Sequence, residues 1–192
     1  MQSQPIVLCS GSPRRHELLT QVAVPHRVLA VQVDETPVPS ESAAAYLERI
    51  CALKLEAAMA AVAPDEWVLV ADTIVVHQGA IVGKPADRAD ARAVLSRLSG
   101  ATHQVFTRFG LGLGRKVQHV ETVCTQVTFR AMGPETIDAY VATGEGDDKA
   151  GGYAIQGRAA AFVSRIEGSY ANVVGLPVCE VVEALAARLG PP

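Results

Sequence analysis

The chain has 192 residues, 49% of them hydrophobic and 5% aromatic, with a formal net charge of −3. That length suits one compact domain or two small lobes, and so few aromatics leave the core to Val, Leu, Ile and Ala. The mild negative charge gives no general nucleic-acid surface, which needs a basic excess. No run approaches the ~20 apolar residues of a membrane span. Cys9, Cys51, Cys124 and Cys179 form no CxxC pair, so a thiolate zinc site is not indicated. Each stands among apolar residues and is expected to pack as a small hydrophobe. Without a disulfide framework the chain suits a reducing cytoplasm. Its start, MQSQPIVLCSGSPRR, lacks the basic and apolar run of a secretory leader.

In chain order, Pro5–Cys9 reads as a short buried strand centred on Ile6, Val7 and Leu8. Ser10-Gly11-Ser12-Pro13 turns the chain into a helix, with Ser12 as N-cap and Pro13 as first helical residue. A strand, a glycine turn and a helix N-terminus together form an anion-holding geometry. Arg14 and Arg15 fall in the first turn, where the helix dipole prefers acids. A bound anion would repair that misplaced charge. Arg27–Val33 reads as a second strand ending at Asp34-Glu35. These acids could ligate a divalent ion or form a solvated turn.

Ser42–Ala63 is predicted as a helix whose face carries Tyr46, Leu47, Ile50, Leu53 and Ala57. Lys54 stands at the edge of that face, by default a snorkelling surface lysine. Trp67–Val70 and Ile74–Val76 are apolar runs around Ala71-Asp72-Thr73. An aspartate inside a buried strand is costly unless it has partners, so Asp72 is the leading catalytic candidate, against the alternative of a satisfied buried cap. Gln78-Gly79 makes a hairpin turn to Ala80–Val82, and Gly83-Lys84-Pro85 puts a lysine at a strand end.

Asp87–Leu98 reads as a helix capped by Asp87 and stopped near Gly100. Thr102–Leu113 and Val117–Arg130 form a long hairpin through Gly114-Arg115-Lys116. Pro134–Thr143 is a short helix with Gly144 as its stop. Asp147–Gly157, DDKAGGYAIQG, has no amphipathic period. It is either a solvated loop or a loop that grips something charged. Phe162–Ile166 is a strand, Gly168–Leu176 a glycine-bounded turn and Pro177–Leu189 the last helix. No repeat, linker or domain boundary is visible, so residues 1–192 read as one domain of two lobes. Cationic groups suited to phosphates, acids suited to a metal and a buried acid suited to a base point to metal-assisted hydrolysis of a phosphate compound by water.

Five segments together carry a resemblance: Ser10-Gly11-Ser12-Pro13-Arg14-Arg15, Ala71-Asp72-Thr73, Gly83-Lys84-Pro85, Asp148-Lys149-Ala150-Gly151-Gly152-Tyr153 and Asn172-Val173-Val174-Gly175-Leu176-Pro177. In this order they resemble the Maf family from about Ile6 to Leu189. The resemblance implies a nucleoside triphosphate pyrophosphatase that releases a nucleoside monophosphate and pyrophosphate with Mg²⁺ or Mn²⁺. It also implies an inosine triphosphatase-like α/β fold, a mixed twisted sheet flanked by helices, with two lobes around a cleft. Asp72 matches the proton acceptor. Ser10, Arg14, Glu35, Lys54 and Lys84 match other active-site positions, and Lys149 joins Ser10 and Arg14 in holding substrate. Glu35 and Asp72 are the expected metal ligands. Arg15, Thr73 and Gln156 match the subgroup acting on dTTP and UTP. Gly146 stands where many members carry proline, which implies a looser loop entry. Neither a nucleic-acid polymer nor a membrane is an expected partner, and a homodimer is compatible with this reading.

Overall fold

A computed structural model of the chain describes residues 5–189. The first four residues, part of the stretch on which the leader expectation rests, and the last three of the 192 lie outside this description. Among the described residues the elements are strands β1 (Ile6–Leu8), β2 (His26–Val28), β3 (Trp67–His77), β4 (Ala80–Val82), β5 (Thr102–Leu113), β6 (Lys116–Phe129) and β7 (Val163–Glu167). The helices are α1 (Pro13–Gln21), α2 (Ala43–Ala61), α3 (Arg88–Leu98), α4 (Pro134–Val141), α5 (Tyr170–Val174) and α6 (Val178–Leu189).

The strands form one mixed sheet in the order β2-β1-β3-β5-β6-β7, with β4 paired to β3. β1 runs parallel to both β2 and β3, while β3–β4 and β6–β7 are antiparallel. A parallel neighbour requires a crossover, and here helices supply it: α1 links β1 to β2, and α2 links β2 to β3. The architecture is therefore the expected mixed α/β fold. β3, β5 and β6 each run from one compact unit of the chain into a second. The first unit holds the described residues up to Asp72, with Thr107–Val123 and the residues from Gly175 onward. The second holds Thr73–Phe106 and Cys124–Val174.

In the first unit, strand alternation turns Val68, Val70 and Asp72 to one side of β3. Val68 and Val70 pack with Val7 of β1 and the following Cys9 against Cys51, Leu55 and Ala58 of α2. Gly110 and Gly112 of β5 let α2 come close. A Cβ at Gly110 would lie 2.6 Å from Leu55 Cδ1, and one at Gly112 would lie 2.7 Å from Met59 Sδ. In the second unit α3 packs against α4. An aromatic group of Phe129, Tyr153, Phe162 and Tyr140 meets edge to face, with centroids 4.9–6.1 Å apart.

Several expectations are corrected. The second strand covers only His26–Val28, not Arg27–Val33. Its partner β1 ends at Leu8, and the last bond runs from the Leu29 N–H to the Leu8 carbonyl at 3.0 Å. Leu29 and Val31 still pack on the core, which explains their strand-like pattern. α2 buries Tyr46, Leu47 and Ile50 as expected, but then Cys51, Lys54, Leu55 and Ala58, while Leu53 is 36% exposed. The second half of the buried face is thus rotated from the expected one. Cys9 and Cys51 are buried, and burial pushes each thiol up to about 11. Cys124 and Cys179 are exposed, against the expectation that all four pack inside. Gly168–Leu176 contains the helical turn α5.

Candidate functional site

The first unit builds its site around the middle of β3. Asp72 continues the side of the strand that faces α2, beyond the apolar pair Val68 and Val70. Lys54 lies one helical turn from Cys51 and Ala58, on the helix face that packs there. Both are buried: Asp72 is 7% and Lys54 8% exposed. The Lys54 Nζ donates to Asp72 Oδ1 at 2.6 Å and stands 2.8 Å from Glu35 Oε1. One ammonium therefore serves two carboxylates. Lys54 is not the surface lysine its sequence position suggests. A buried lysine needs such partners, because an unpaired charge away from water is heavily penalised.

Glu35 lies on the irregular segment between β2 and α2, and its side chain is 50% exposed. The neighbouring Tyr46 senses the same charges. Burial first, then the fields of Asp72 and Glu35, push its phenol up to about 12. Asp34 accepts the Thr36 N–H at 2.9 Å, and side chain and backbone of Thr36 hold its carboxyl below the usual range.

The β1–α1 turn supplies Ser10, buried, with Oγ accepting the Ser12 N–H at 3.2 Å and the Arg15 Nη1 at 3.1 Å. Ser12 takes the N-cap position with Pro13 after it, and no acid stands in the first turn. The Arg15 Nε donates to the Gly175 carbonyl at 2.8 Å. Arg15 thus ties the turn to the residue that leads into α6. Packing lowers its guanidinium pKa, opposed by the Asp72 and Glu35 charges, which puts Arg15 in the electrostatic neighbourhood of the triad. Arg14 is half-buried on the same helix.

The second unit carries the other predicted residues. Thr73 follows Asp72 on β3, where alternation turns it to the opposite face. Lys84 is exposed between Gly83 and Pro85. The Gly83 carbonyl accepts the Gly151 N–H at 3.0 Å, so the Lys84 segment and the Asp147–Gly157 loop are joined by backbone. In that loop Lys149 pairs with Asp148, and Gln156 is exposed. The loop is turns and a short 3₁₀ segment, Ala150–Gly152. Gly146 does not loosen its entry. It is buried, and a Cβ there would stand 2.0 Å from the Gly152 carbonyl oxygen. Tyr153 anchors the loop's middle, its hydroxyl 2.8 Å from His103 Nε2.

Among the described residues no three or more His, Cys, Asp or Glu stand together as a metal cage. Glu35 and Asp72 nevertheless fit a hard divalent cation. Their oxygens already converge on one positive charge, and Mg²⁺ needs only one or two carboxylates beside phosphate oxygens and waters. Sequence reasoning read Tyr46 only as part of the packed face of α2 and did not single out Arg49 and Glu41; the three hold the Glu35 segment. Glu41 and Arg49 stand at a spacing of eight with no local signal that they pair.

The model of the family described as "Maf-like protein" matches residues 5–188. The chain belongs to the Maf family. It is 48% identical to a dTTP/UTP pyrophosphatase of Citrifermentans bemidjiense over 186 residues, covering 96% of each chain. A dTTP/UTP pyrophosphatase of Geobacter sulfurreducens is 48% identical, with 99% of each covered. One of Symbiobacterium thermophilum is 50% identical, with 95% of this Maf chain and 93% of that protein covered. Among solved structures the chain is similar to the Staphylococcus aureus Ham1 protein, with a TM-score of 0.44 and 16% identity over 66% of this chain and 71% of that one. No helix among the described residues is long and apolar enough to cross a membrane.

Proposed function

We propose that this Maf protein hydrolyses dTTP and UTP between the α- and β-phosphates, releasing the nucleoside monophosphate and pyrophosphate. The printed activity of its relatives at 48–50% identity supports this. The observation that carries it is the buried Lys54 held between Asp72 and Glu35. A charged trio at the middle of a buried strand is costly for a scaffold and useful to a reaction on polyphosphate.

Asp72 is the base. Lys54 fixes Oδ1, and Oδ2 accepts the proton of the attacking water as its oxygen bonds to phosphorus and pyrophosphate leaves. Lys54 also supplies positive charge toward the anion that develops. Ser10 and Arg14, at the N-terminus of α1, are assigned to phosphate oxygens, as are Lys84 and Lys149. Glu35 and Asp72 would hold Mg²⁺ or Mn²⁺, which when bound neutralises phosphate charge. Arg15, Thr73 and Gln156 are assigned to substrate choice. A nucleotide substrate and four free cysteines agree with a cytoplasmic place.

The test is to incubate the protein with dTTP, UTP, ATP and GTP plus Mg²⁺ and measure released pyrophosphate. Rates highest with dTTP and UTP are expected. Release of orthophosphate instead of pyrophosphate overturns the bond assignment.

A further inference from the structure

Glu35 poses a positioning problem. Its carboxylate stands half in solvent on a stretch with no ladder or helix to hold it, yet it reaches a buried lysine. α2 supplies the hold. The Tyr46 hydroxyl donates to the Glu35 carbonyl at 3.2 Å, and the Arg49 Nη2 donates to the next carbonyl, that of Thr36, at 3.1 Å. Two successive carbonyls are thus gripped by one helix. Arg49 is itself fixed by a bidentate pair with Glu41, with Nε to Oε1 and Nη2 to Oε2 both at 2.7 Å. Its guanidinium lies 5.5 Å from the Tyr46 ring centroid. Glu41 in turn accepts the Val38 N–H at 3.3 Å, closing the segment from its far end.

This exceeds what an ordinary surface pair does. Isolated exposed ion pairs contribute little, but this fork-to-fork pair is the geometrically specific kind. Arg49 spends a further N–H on backbone two residues from Asp34 and one from Glu35. Its position matches what supports a ligating or charge-pairing carboxylate elsewhere, where an outer partner orients the inner one.

We infer that Arg49, Tyr46 and Glu41 are positioning residues that hold the Glu35 carboxylate against Lys54, and that Mn²⁺ affinity and turnover depend on them through Glu35. This rests on the proposed role of Glu35. It assigns work to three residues that touch no substrate.

The experiment is a double-mutant cycle with two readouts: Mn²⁺ binding to the nucleotide-free protein by electron paramagnetic resonance, and kcat with UTP. Loss of an outer partner of this kind typically costs ~10–100-fold in metal affinity or activity. Arg49→Met is expected to weaken Mn²⁺ binding and lower kcat by roughly tenfold, the low end of that range. Arg49→Lys should recover part of the loss. Tyr46→Phe, which keeps the ring and is the variant safest for folding, should cost about threefold, in keeping with one neutral hydrogen bond. In a Glu35→Gln background, Arg49→Met should add less than about twofold, because residues that act through one another are not additive. Full additivity would overturn the inference and leave Arg49 merely structural. So would Mn²⁺ binding and kcat within twofold of wild type for both Arg49→Met and Tyr46→Phe. If Glu35→Gln alone changes neither readout, the reading of Glu35 fails and takes the inference with it. If Glu35→Gln is crippling while Arg49→Met is silent, only the inference fails.

Discussion

The two units hold their lysines by opposite means. In the first, Lys54 is buried and fixed by two carboxylates, 2.6 Å and 2.8 Å from its Nζ. In the second, Lys84 is exposed, and what is fixed is the backbone around it. The Gly151 N–H bonds to the Gly83 carbonyl, and Gly146 lies against the Gly152 carbonyl with no room for a side chain. One region is built by charge compensation and the other by close backbone approach. Charge changes in the first therefore act on stability and chemistry together. At the exposed Lys84 of the second they are expected to act on chemistry alone, and the backbone around it is sensitive to shape.

The largest expected effect is at the base. Asp72→Asn should lower kcat with UTP by ~10²–10⁴-fold, the usual loss for a general base, with the fold retained by circular dichroism. Activity within a few-fold of wild type would remove Asp72 from the reaction. The two lysines then separate the units directly. Lys54→Ala leaves Asp72 buried beside Glu35 with no cation between them. Losing one partner of a buried pair costs ~3–5 kcal/mol at full burial. With Glu35 half-exposed, a Tm drop of roughly 5–10 °C is expected alongside the loss of activity. Lys84→Ala should lose activity with stability changed by no more than ~0.5 kcal/mol. Equal thermal shifts in the two variants would break the contrast.

That contrast was only half legible in the sequence. Asp72 could be read because an acid interrupting Trp67–Val76 violates a local pattern. The long hairpin and α2 could be read because period and punctuation are local; the Ser42 cap, whose Oγ accepts the Ala45 N–H at 3.2 Å, is seen only in the structure. The burial of Lys54 could not. Its partner Asp72 is 18 positions away and Glu35 lies on a segment without period, so helical spacing alone left Lys54 at the edge of α2. The β2 segment is shorter than its apolar pattern for a related reason. Leu29 and Val31 are buried by packing, but β1 is too short to offer them a ladder. The packing of Gly146 depends on a carbonyl six residues on, and a glycine that looks permissive in sequence turns out to be required.

A smaller effect sharpens the comparison from the second unit, where one titratable group is buried with no charge to compensate it. Burial lowers His103 from 6.5 to about 4. The folded protein therefore keeps His103 neutral at pH values where the unfolded chain has protonated it. Its contribution is fully present above pH ~6.5 and is lost as pH falls toward ~4, amounting to roughly 3 kcal/mol. His103→Gln is expected to be less stable than wild type at pH 7, since the Tyr153 partner is lost. The gap should shrink by about that amount by pH 4, measured by urea unfolding at a series of pH values. A gap that stays constant with pH would mean that His103 does not titrate between the two states.

The smallest expected change concerns substrate choice and lies on the most exposed part of the second unit. Gln156 is solvent-exposed in the loop that Gly151 and Tyr153 anchor, so its amide can be removed without disturbing a packed contact. An amide offers both a donor and an acceptor, which suits a pyrimidine edge. A site that pairs with polar groups of a substrate rejects analogues that leave those groups unpaired. One neutral hydrogen bond accounts for ~0.5–1.5 kcal/mol, or up to about tenfold. Gln156→Ala should therefore reduce the kcat/KM ratio of UTP to GTP by about tenfold while kcat with UTP changes less than threefold. With Lys84 and Lys149 proposed to act on phosphates that both nucleotides share, Lys84→Ala should lower both substrates equally and leave the ratio intact. An equal loss for UTP and GTP in Gln156→Ala would place Gln156 with those lysines, or with the shape of the loop. A wild-type preference for GTP would overturn the pyrimidine assignment and leave the pyrophosphatase activity standing.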